Sequence, residues 1–479
     1  MTWKLIIYYE DYSLESYVME QLRLFGTSGI RGKANTEMTS ELAAKLGLTF
    51  ASFLENEGTV IVGRDVRLTA ETLANALISG LVSGGINVED CGISPTPAIL
   101  WALKKRELNG AIVVTGSHTP KDMIGFLFFM QDTSELSYEE SIQFGKIFFN
   151  RKKPVHWNKI GKQSEINISK IYLQGVLEHI NVDKISSLDY KIVLDPGNGA
   201  ATYFFSEIFD LAGVDIIIIN GKPNGLFPNR DPYPRPEVLG MLSNKVRRVK
   251  ADLGSASDGD GDRAIFIDEK GKVIWGDVSG AIFAKKALTK SGGGVVVAPI
   301  NSSQLIDWVC NNYQGKLVYT KIGPPSIVKA VKRENAIMGL EETGKNIWPD
   351  GILYGDWVLA TLRMLEILGD ENKALSDIVK TFPKFYMKKE AFYCQENLKQ
   401  KVLTQVLEEW SNRKEESELV TLDGARINYP DSSWILFRPS GTEPSFRIYS
   451  ESMNPNRVKE LVNMGSIIVK KIIESSHLK

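Results

Sequence analysis

Short apolar segments recur at regular intervals along the chain, and stretches with helical periodicity separate them. In the first third of the chain this pattern predicts helices at 39–57, 69–83 and 96–105 and strands at 59–62, 87–90 and 111–114. Helices that alternate with short apolar strands are typical of layered α/β folds. The first unit is therefore predicted to be an α/β domain.

The same alternation returns twice. The second unit has predicted helices at 169–179, 203–211 and 237–249 and strands at 191–194, 214–219 and 252–255; the third has helices at 278–289, 303–311 and 325–334 and strands at 295–298, 316–320 and 336–340. After about residue 382 the pattern changes to that of a smaller α+β unit, with a strand at 434–438. We predict three similar mixed α/β domains and a smaller α+β C-terminal domain, at 1–154, 155–272, 273–382 and 383–479.

A polar motif follows the last predicted strand of each unit. Ligands of α/β folds gather beyond the carboxyl ends of strands, so these motifs are expected to face one cleft. The motifs are Thr115-Gly116-Ser117-His118-Thr119-Pro120, Asp258-Gly259-Asp260-Gly261-Asp262-Arg263, Glu341-Glu342-Thr343-Gly344 and, in the last unit, Pro439-Ser440-Gly441-Thr442-Glu443-Pro444-Ser445-Phe446-Arg447.

Asp258, Asp260 and Asp262 alternate with glycines, so their carboxylates can converge on one hard cation. An EF-hand does not fit, because Arg263 stands at the sixth loop position, where a sharp turn needs glycine. A solvated acidic turn is the commoner fate of an Asp/Gly run, but the strict spacing directly after an apolar strand favours a metal site. Mg²⁺ commonly binds where a phosphate supplies further ligands.

Two arginines, Arg438 and Arg447, flank a loop with hydroxyls and a glycine backbone, which are the donors that a phosphate dianion binds. A plain turn is the alternative interpretation. In the first motif, Ser117 and His118 invite a nucleophile-and-base interpretation. Neighbouring side chains of an extended segment point to opposite faces, so His118 suits this role only if the loop turns sharply. A phosphorylated Ser117 would instead supply an anionic oxygen to the metal site.

The segment from Gly339 to Asn346 imitates a Walker loop, but Asn346 stands where Ser or Thr is needed, and two glutamates would repel phosphates. Carboxylates beside a hydroxyl suit a sugar, because they accept hydrogen bonds from adjacent hydroxyl groups. An exposed acidic helix entry explains this motif equally well.

Composition excludes several function classes. Lys plus Arg is 57 against 58 for Asp plus Glu, so no net field favours nucleic acid or an acidic membrane. The three cysteines are widely spaced, which indicates a reducing, cytoplasmic setting. No apolar run approaches a membrane span, and we interpret residues 1–23 as an accessory segment or an over-long start before Met19.

Together the motifs resemble the α-D-phosphohexomutase superfamily from residue 25 to the C-terminus. The resemblance implies four domains around a central cleft, Mg²⁺ as cofactor and a hexose 1,6-bisphosphate as activator. It implies a phosphosugar substrate, and we expect no nucleic-acid or membrane partner and a monomer or homodimer. By its motif position, the resemblance implies that Ser117 is the phosphoserine and a metal ligand, and that Asp258, Asp260 and Asp262 are the other metal ligands. It implies that Arg263 and Arg31 lie beside the transferring group. The residues that would bind the substrate are Lys321, Gly323, Glu341, Thr343, Lys345, Arg438, Ser440, Gly441, Thr442 and Arg447. The segment from Arg230 to Glu237 is similar to a sugar-orienting loop of the family.

The chain departs from the family pattern in its acid/base group. The family often has a lysine ten residues after the serine, where this chain has Leu127, and usually asparagine at Thr119. Arg31, His118 and Lys121 are the candidate substitutes. Lys345 replaces the family's usual histidine and could reach a sugar oxygen or phosphate.

The activity implied by the resemblance is that of a phosphomannomutase/phosphoglucomutase, which interconverts hexose 1-phosphate and hexose 6-phosphate through a phosphoserine and a 1,6-bisphosphate. Phosphoglucosamine mutase is the alternative within the family. Two alternatives from other classes stay open: a sugar-phosphate phosphatase, and a non-catalytic phosphosugar-binding protein. The sequence does not decide among mannose, glucose and glucosamine phosphates.

Overall fold

The structure is a computed structural model that describes residues 24–150, 153–411, 417–441 and 444–477. Its elements form four sheets with their helices. The proposed accessory segment 1–23 and the phosphate-loop residue Thr442 lie outside the described residues. Among the described residues, no helix combines the length and apolar character needed to cross a membrane.

The first sheet has six strands in the order β1-β5-β4-β2-β3-β6. Strands β4, β2, β3 and β6 run parallel, and β5 pairs antiparallel with both β4 and β1. The elements are β1 (Ile30–Lys33), β2 (Thr59–Arg64), β3 (Asn87–Ile93), β4 (Gly110–Val114), β5 (Met123–Met130) and β6 (Gln163–Glu165), with helices α1 (Ser40–Phe53), α2 (Ala70–Ser83), α3 (Thr96–Lys105) and α4 (Tyr138–Phe149).

The second sheet has the order β11-β10-β9-β7-β8, in which β9, β7 and β8 are parallel and β10 and β11 are antiparallel additions. Its elements are β7 (Lys191–Asp195), β8 (Asp215–Ile218), β9 (Leu253–Ser257), β10 (Ala264–Ile267) and β11 (Val273–Ile274), with α5 (Ser169–Leu177), α6 (Val182–Ser186), α7 (Ser206–Leu211) and α8 (Gly240–Val249).

The third sheet has the order β13-β12-β14-β15, with β15 antiparallel to β14. Its elements are β12 (Gly294–Pro299), β13 (Gly315–Thr320), β14 (Met338–Leu340) and β15 (Asn346–Ile347), with α9 (Gly276–Ser291), α10 (Gln304–Asn312), α11 (Pro324–Arg333), α12 (Trp357–Glu371) and α13 (Leu375–Val379).

The fourth sheet is entirely antiparallel, in the order β16-β20-β19-β18-β17. Its elements are β16 (Tyr386–Tyr393), β17 (Glu418–Val420), β18 (Ala425–Asn428), β19 (Trp434–Pro439) and β20 (Ser445–Ser452), with α14 (Glu396–Ser411) and α15 (Pro455–His477). The predicted architecture of three mixed α/β units and a smaller α+β unit is confirmed.

Most of the predicted elements agree with the structure within a few residues, and the differences have local causes. The helix predicted at 39–57 ends at Phe53 because Glu55 and Asn56 adopt left-handed φ angles of 60° and 65°. The helix predicted at 203–211 begins as a separate 3-10 turn, Ala200–Tyr203, and the α-helix starts at Ser206.

One apolar core joins the first three sheets. Asp356 lies at their junction and accepts hydrogen bonds from Trp101 Nε1 at 3.1 Å and from Tyr172 Oη at 2.9 Å. Asp356 also caps the start of α12, because its carboxylate accepts a hydrogen bond from the Leu359 amide at 3.1 Å. The three α/β units therefore pack as one body around a satisfied buried carboxylate.

The fourth sheet packs on the third through a smaller cluster of Ile300, Trp434, Leu436 and Tyr449. Glu451 Oε2 accepts from the Gln304 amide at 2.8 Å and from Trp434 Nε1 at 2.9 Å, so a carboxylate of the fourth sheet binds the start of α10. This contact is smaller and more polar than the central core, which is typical of a domain that moves.

The crossing of α1 and α2 depends on two glycines, and it gives a test of the first domain. A Cβ at Gly80 would overlap the backbone carbonyl of Ala44, whereas a Cβ at Gly240 in α8 would meet nothing within 4 Å. We expect Gly80→Ala to destabilise the protein by about 1–3 kcal/mol despite the helix preference for alanine. Gly240→Ala is the matched control and should be neutral or slightly stabilising. Scanning calorimetry measures both; equal melting temperatures would contradict the account of this crossing.

Candidate active site

All four polar motifs occupy the same structural position. Each lies in the connection between a strand and its antiparallel neighbour: Ser117 between β4 and β5, the aspartates between β9 and β10, Glu341 between β14 and β15, and Ser440 between β19 and β20. A connection of this kind exposes backbone and side-chain groups at the end of a sheet. The fold thus presents four polar loops that can face one another.

Ser117 joins the first and second loops. Its Oγ donates a hydrogen bond to Asp258 Oδ2 at 3.1 Å and lies 3.3 Å from His118 Nδ1. Ser117 adopts a left-handed φ of 49°, and this turn is the condition under which the neighbouring His118 can reach it. The extended geometry that would separate the two side chains is therefore wrong for this loop.

The serine loop is built on Asp65 and Arg67, which sequence reasoning did not select. Asp65 Oδ2 accepts from Thr115 Oγ1 at 2.8 Å and from the Gly116 amide at 3.0 Å. The Arg67 guanidinium pairs with Asp65 and donates to loop carbonyls, among them those of Ser117 at 2.9 Å and Thr119 at 2.7 Å. This buried pair fixes the unusual backbone of the loop.

The three aspartates converge as predicted from their spacing. Asp258, Asp260 and Asp262 are buried, and each offers a carboxylate oxygen within 4.8 Å of the others. Asp260 Oδ1 and Asp262 Oδ1 are buried without a hydrogen-bond partner among the described residues. Hard oxygen ligands with unsatisfied lone pairs fit a divalent cation such as Mg²⁺.

Burial and mutual repulsion set the electrostatics of this cluster. Burial, with the charges of Asp262 and Asp260, raises the pKa of Asp258 well above its usual value. Burial and the charge of Asp262 raise the pKa of Asp260 to about 6. Burial opposes ionisation of Asp262 too, but the Lys345 ammonium and the Arg263 guanidinium hold its pKa below the usual value.

His118 is surrounded by positive charge. Burial lowers its pKa well below the usual value, and the charges of Arg263, Arg31, Lys345 and Arg67 lower it further. Its ring packs against Tyr233 with centroids 5.1 Å apart. Near neutral pH His118 is thus a neutral imidazole beside the Ser117 hydroxyl.

The third loop separates the roles of two adjacent glutamates. Glu342 accepts from Asn301 Nδ2 at 2.8 Å and pairs with Lys389 of the fourth sheet, so both its oxygens are engaged. The Glu341 carboxylate has no such partner among the described residues, and Thr343 Oγ1 is buried and unpartnered. Glu341 and Thr343 are therefore the groups of this loop that remain available to a ligand.

In the fourth loop, Arg438 and Arg447 are directly opposite one another on β19 and β20. Two like charges in opposite positions destabilise a sheet unless an anion or acid neutralises them. Asp423 partly does so, since its Oδ2 lies 3.0 Å from Arg438 Nε and also accepts from the Ile322 amide at 2.9 Å. Lys399 supports the loop from below and donates to the Ser440 carbonyl at 2.6 Å.

Three loops meet at Thr27, in the segment that precedes β1. A Cβ at Gly323, where φ is 123°, would lie 2.7 Å from the Thr27 carbonyl oxygen, so only glycine permits this approach. A Cβ at Gly441 would lie 3.5 Å from Thr27 Cγ2. The phosphate-binding loop of the fourth sheet therefore lies next to the segment before β1, which also contacts the Gly323 loop of the third domain.

The remaining predicted residues have diverse positions. Arg31 lies on β1, where its Nη2 donates to Ser28 Oγ at 3.4 Å and its Nε is unpartnered. Lys121 and Lys321 are exposed. Leu127 is fully buried in the apolar core on β5, so this position supplies no polar group to the cleft.

Other residues of the site were not predicted. Asp65 and Arg67 directly follow β2, so the strand-end rule that selected the four motifs could have found them. Tyr233, Glu135, Tyr354, Asp423 and Lys399 carry no local signal, because only the tertiary structure brings them to the loops.

Four models of one known protein family match most of the chain. Models described as phosphoglucomutase/phosphomannomutase alpha/beta/alpha domains I, II and III match residues 22–154, 170–271 and 275–386, and the C-terminal domain of that family matches 393–464. The chain belongs to the phosphoglucomutase/phosphomannomutase family. It is an enzyme of the α-D-phosphohexomutase superfamily. The domain boundaries predicted at 154, 272 and 382 stay predictions.

Relatives within the family differ in their substrates. A phosphoglucomutase/phosphomannomutase of Thermococcus kodakarensis is 36% identical over 92% of this chain and 97% of the relative. A phosphoglucosamine/phosphogalactosamine mutase of Sulfurisphaera tokodaii is 33% identical over 94% of this chain and 99% of the relative. The crystal structure of a family protein from Burkholderia thailandensis shares the fold, with a TM-score of 0.82, 24% identity and coverage of 94% and 98%.

The Asp65–Arg67 support can be tested by hydrogen exchange. Arg67→Lys removes the planar donor set, and we expect peptides covering 115–123 to open more easily by about 2 kcal/mol, or roughly 30-fold faster exchange. Arg64→Lys is the matched control, because the ion pair of Arg64 is with the exposed Glu71, at 3.5 Å, and not with the serine loop. Exchange that is equally slow in both variants would show that the loop does not depend on Arg67.

The aspartate cluster makes stability depend on pH and on divalent cations. Because the pKa of Asp260 is raised from 3.8 to about 6, its contribution to stability is present below 3.8 and is lost as the pH rises through about 6. A bound cation offsets that loss, so Mg²⁺ should raise the melting temperature at about pH 8 and much less at about pH 5.

Asp260→Ala should abolish the Mg²⁺-dependent shift, and Asp268→Ala is the control from the neighbouring turn. Differential scanning fluorimetry measures all of these shifts. An equal Mg²⁺ effect at both pH values, or in Asp260→Ala, would contradict a cation site on these three carboxylates.

Proposed function

We propose that the protein interconverts hexose 1-phosphate and hexose 6-phosphate, with glucose and mannose as the sugars. The observation that supports this most directly is the 3.1 Å contact of Ser117 Oγ with Asp258 inside a buried carboxylate triad. A nucleophilic hydroxyl at a metal site, with an arginine-rich loop across the cleft, suits a phosphoryl group that moves between protein and sugar.

In this proposal Ser117 carries the phosphoryl group at the start of the cycle. The phosphosugar binds through its own phosphate at the loop of Arg438, Ser440, Gly441 and Arg447, and its hydroxyls bind Glu341 and Thr343. Asp258, Asp260 and Asp262 would hold Mg²⁺, which when bound supplies positive charge near the transferring oxygens. Thr442 belongs to the same loop by its place in the sequence.

The transfer balances without any further reactant. The sugar hydroxyl oxygen forms a bond to phosphorus as the bond to Ser117 Oγ breaks, and the hydroxyl proton ends on Ser117 Oγ. His118, a neutral imidazole 3.3 Å from that oxygen, is placed to hold the proton in between. The 1,6-bisphosphate then turns over, and its other phosphoryl group returns to Ser117.

Two arginines stabilise the transferring charge. Arg263 Nε and Nη1 are buried and unpartnered by hydrogen bonds, and Arg31 Nε is likewise unpartnered among the described residues. Donors held in place before the ligand arrives stabilise developing charge without reorganisation. Rotation of the bisphosphate requires an open cleft, so the fourth domain would move away from Thr27 during each cycle.

Phosphoglucosamine mutase is the second candidate within the family. The identity of 33% to the phosphoglucosamine/phosphogalactosamine mutase is close to the 36% found for the phosphoglucomutase/phosphomannomutase. A phosphopentomutase of Thermococcus kodakarensis, 34% identical, adds pentose phosphates to the substrates that need to be compared.

Mass spectrometry tests the phosphoserine directly. We expect incubation with glucose 1,6-bisphosphate and Mg²⁺ to add one phosphate to Ser117. Glucose 1-phosphate should then take up that phosphate as glucose 1,6-bisphosphate, and glucose 6-phosphate should form as the other phosphoryl group returns to Ser117. Ser117→Ala should accept none. The mass of the intact protein counts the added phosphate, and peptide mapping after digestion identifies the phosphorylated residue.

Absence of phosphate on Ser117 under turnover conditions would refute the proposed function. The same discharge reaction with mannose, glucosamine and ribose phosphates ranks the substrates. Faster discharge by glucosamine 1-phosphate than by glucose or mannose 1-phosphate would favour the second candidate.

A further inference from the structure

The aspartate cluster is flanked by two buried cations from two different domains. Arg263 Nε lies 3.6 Å from Asp258 Oδ2 and 3.7 Å from Asp262 Oδ1. On another side, Lys345 Nζ lies 3.0 Å from Asp262 Oδ2, and Lys345 is only 2% exposed. A lysine is almost never this buried unless a specific arrangement holds it.

Lys345 keeps donors that its protein contacts do not use. An ammonium group has three N–H donors, and Asp262 is the one acidic partner within 4.0 Å of Nζ among the described residues. Its second contact is the face of the Tyr354 ring, 3.8 Å from the centroid, which attracts the charge without accepting a conventional hydrogen bond. Donors therefore remain for a bound ligand.

The position of Tyr354 is itself fixed from the first domain. Tyr354 Oη donates to Glu135 Oε1 at 2.8 Å, and Ser28 Oγ lies 2.9 Å from each oxygen of the same carboxylate. Arg31 Nη2 then donates to Ser28 Oγ at 3.4 Å. One buried glutamate thus positions the ring below Lys345 and the serine beside Arg31.

Lys345 lies on the side of the cleft where Ser117 is. Asp262, its partner, shares the cluster with Asp258, which accepts from Ser117 Oγ. The charge of Lys345 also acts on His118, whose Nδ1 is 3.3 Å from Ser117 Oγ. The third domain therefore places a cation beside the phosphoserine as well as a carboxylate beside the sugar.

We propose that Lys345 is a catalytic residue. Its ammonium group binds an oxygen of the phosphoryl group while that group is on Ser117, and keeps this contact while the group is transferred to the sugar. This inference rests on the proposed function. It assigns Lys345 to the transferring group, and not only to a sugar hydroxyl. Leu127 is buried in the core, so Lys345 supplies the ammonium that the first domain does not supply from that position.

The Lys345→Met variant tests this proposal through two measurements, the rate of phosphoryl transfer and the affinity for a metal ion. The protein is first phosphorylated on Ser117, and rapid quenching then follows loss of that phosphate to glucose 1-phosphate. We expect the transfer rate to fall about 100-fold, as for removal of one donor to a developing anion. Without phosphosugar, Mn²⁺ should bind about 3–10-fold tighter by calorimetry, because Asp262 loses a competing cation.

These opposite directions distinguish catalysis from a structural role, which would weaken both properties together. Lys345→Arg keeps the charge and should recover at least about tenfold of the lost rate. Lys104→Met is the matched control, because Lys104 is a packed lysine near Trp101 and outside the cleft. The transfer rate and the Mn²⁺ affinity of this variant should both match those of the wild type.

A transfer rate in Lys345→Met within about threefold of wild type would overturn the proposal. So would a parallel loss of transfer, Mn²⁺ affinity and melting temperature. If Lys345→Met does not fold, Lys345→Gln, which keeps a donor for Asp262 but not the charge, decides by the same measurements. A wild-type protein that never carries phosphate on Ser117 refutes the proposed function instead, so the two failures are distinguishable.

Discussion

Three carboxylates buried in one short loop repel one another, and the rest of the site is arranged around that repulsion. The loop backbone is held from three directions: Thr96 donates to the Asp260 carbonyl at 2.9 Å, Ala200 to that of Gly259 at 2.9 Å, and Trp357 to that of Gly261 at 3.1 Å. These donors come from the first, second and third units of the fold. The cluster therefore depends on the packing of all three, and no single domain could form it alone.

The antiparallel strands β5, β10, β15 and β20 explain how four domains present their motifs to one cleft. Each strand returns beside the strand that precedes its motif, so each motif is a constrained turn and not the start of a helix. The turns also contact each other directly, since the Ala264 amide donates to the Gly344 carbonyl at 3.0 Å. Charge is shared across these turns: Arg263 and Lys345 belong to different domains but neutralise the same cluster.

Much of this organisation could be predicted from the sequence because it is local. The Asp258–Asp262 spacing predicted converging carboxylates, and the apolar period predicted the strands that precede the motifs. The returning strand β5 and the role of Leu127 within it were not predictable from period alone, since a continuous apolar run is ambiguous. Glu135, Tyr354 and Asp423 act across more than one domain, and no pattern near them in the chain indicates their partners.

The central claim is that Ser117 passes its phosphoryl group to a sugar, and the fate of a radioactive label tests this most directly. Protein labelled with ³²P on Ser117 would be mixed with unlabelled glucose 1-phosphate and Mg²⁺. We predict that the label leaves the protein and appears in glucose bisphosphate and glucose 6-phosphate. Label in inorganic phosphate at the same rate would indicate a phosphatase, and label that stays on the protein would indicate a phosphosugar-binding protein; either result would contradict the account.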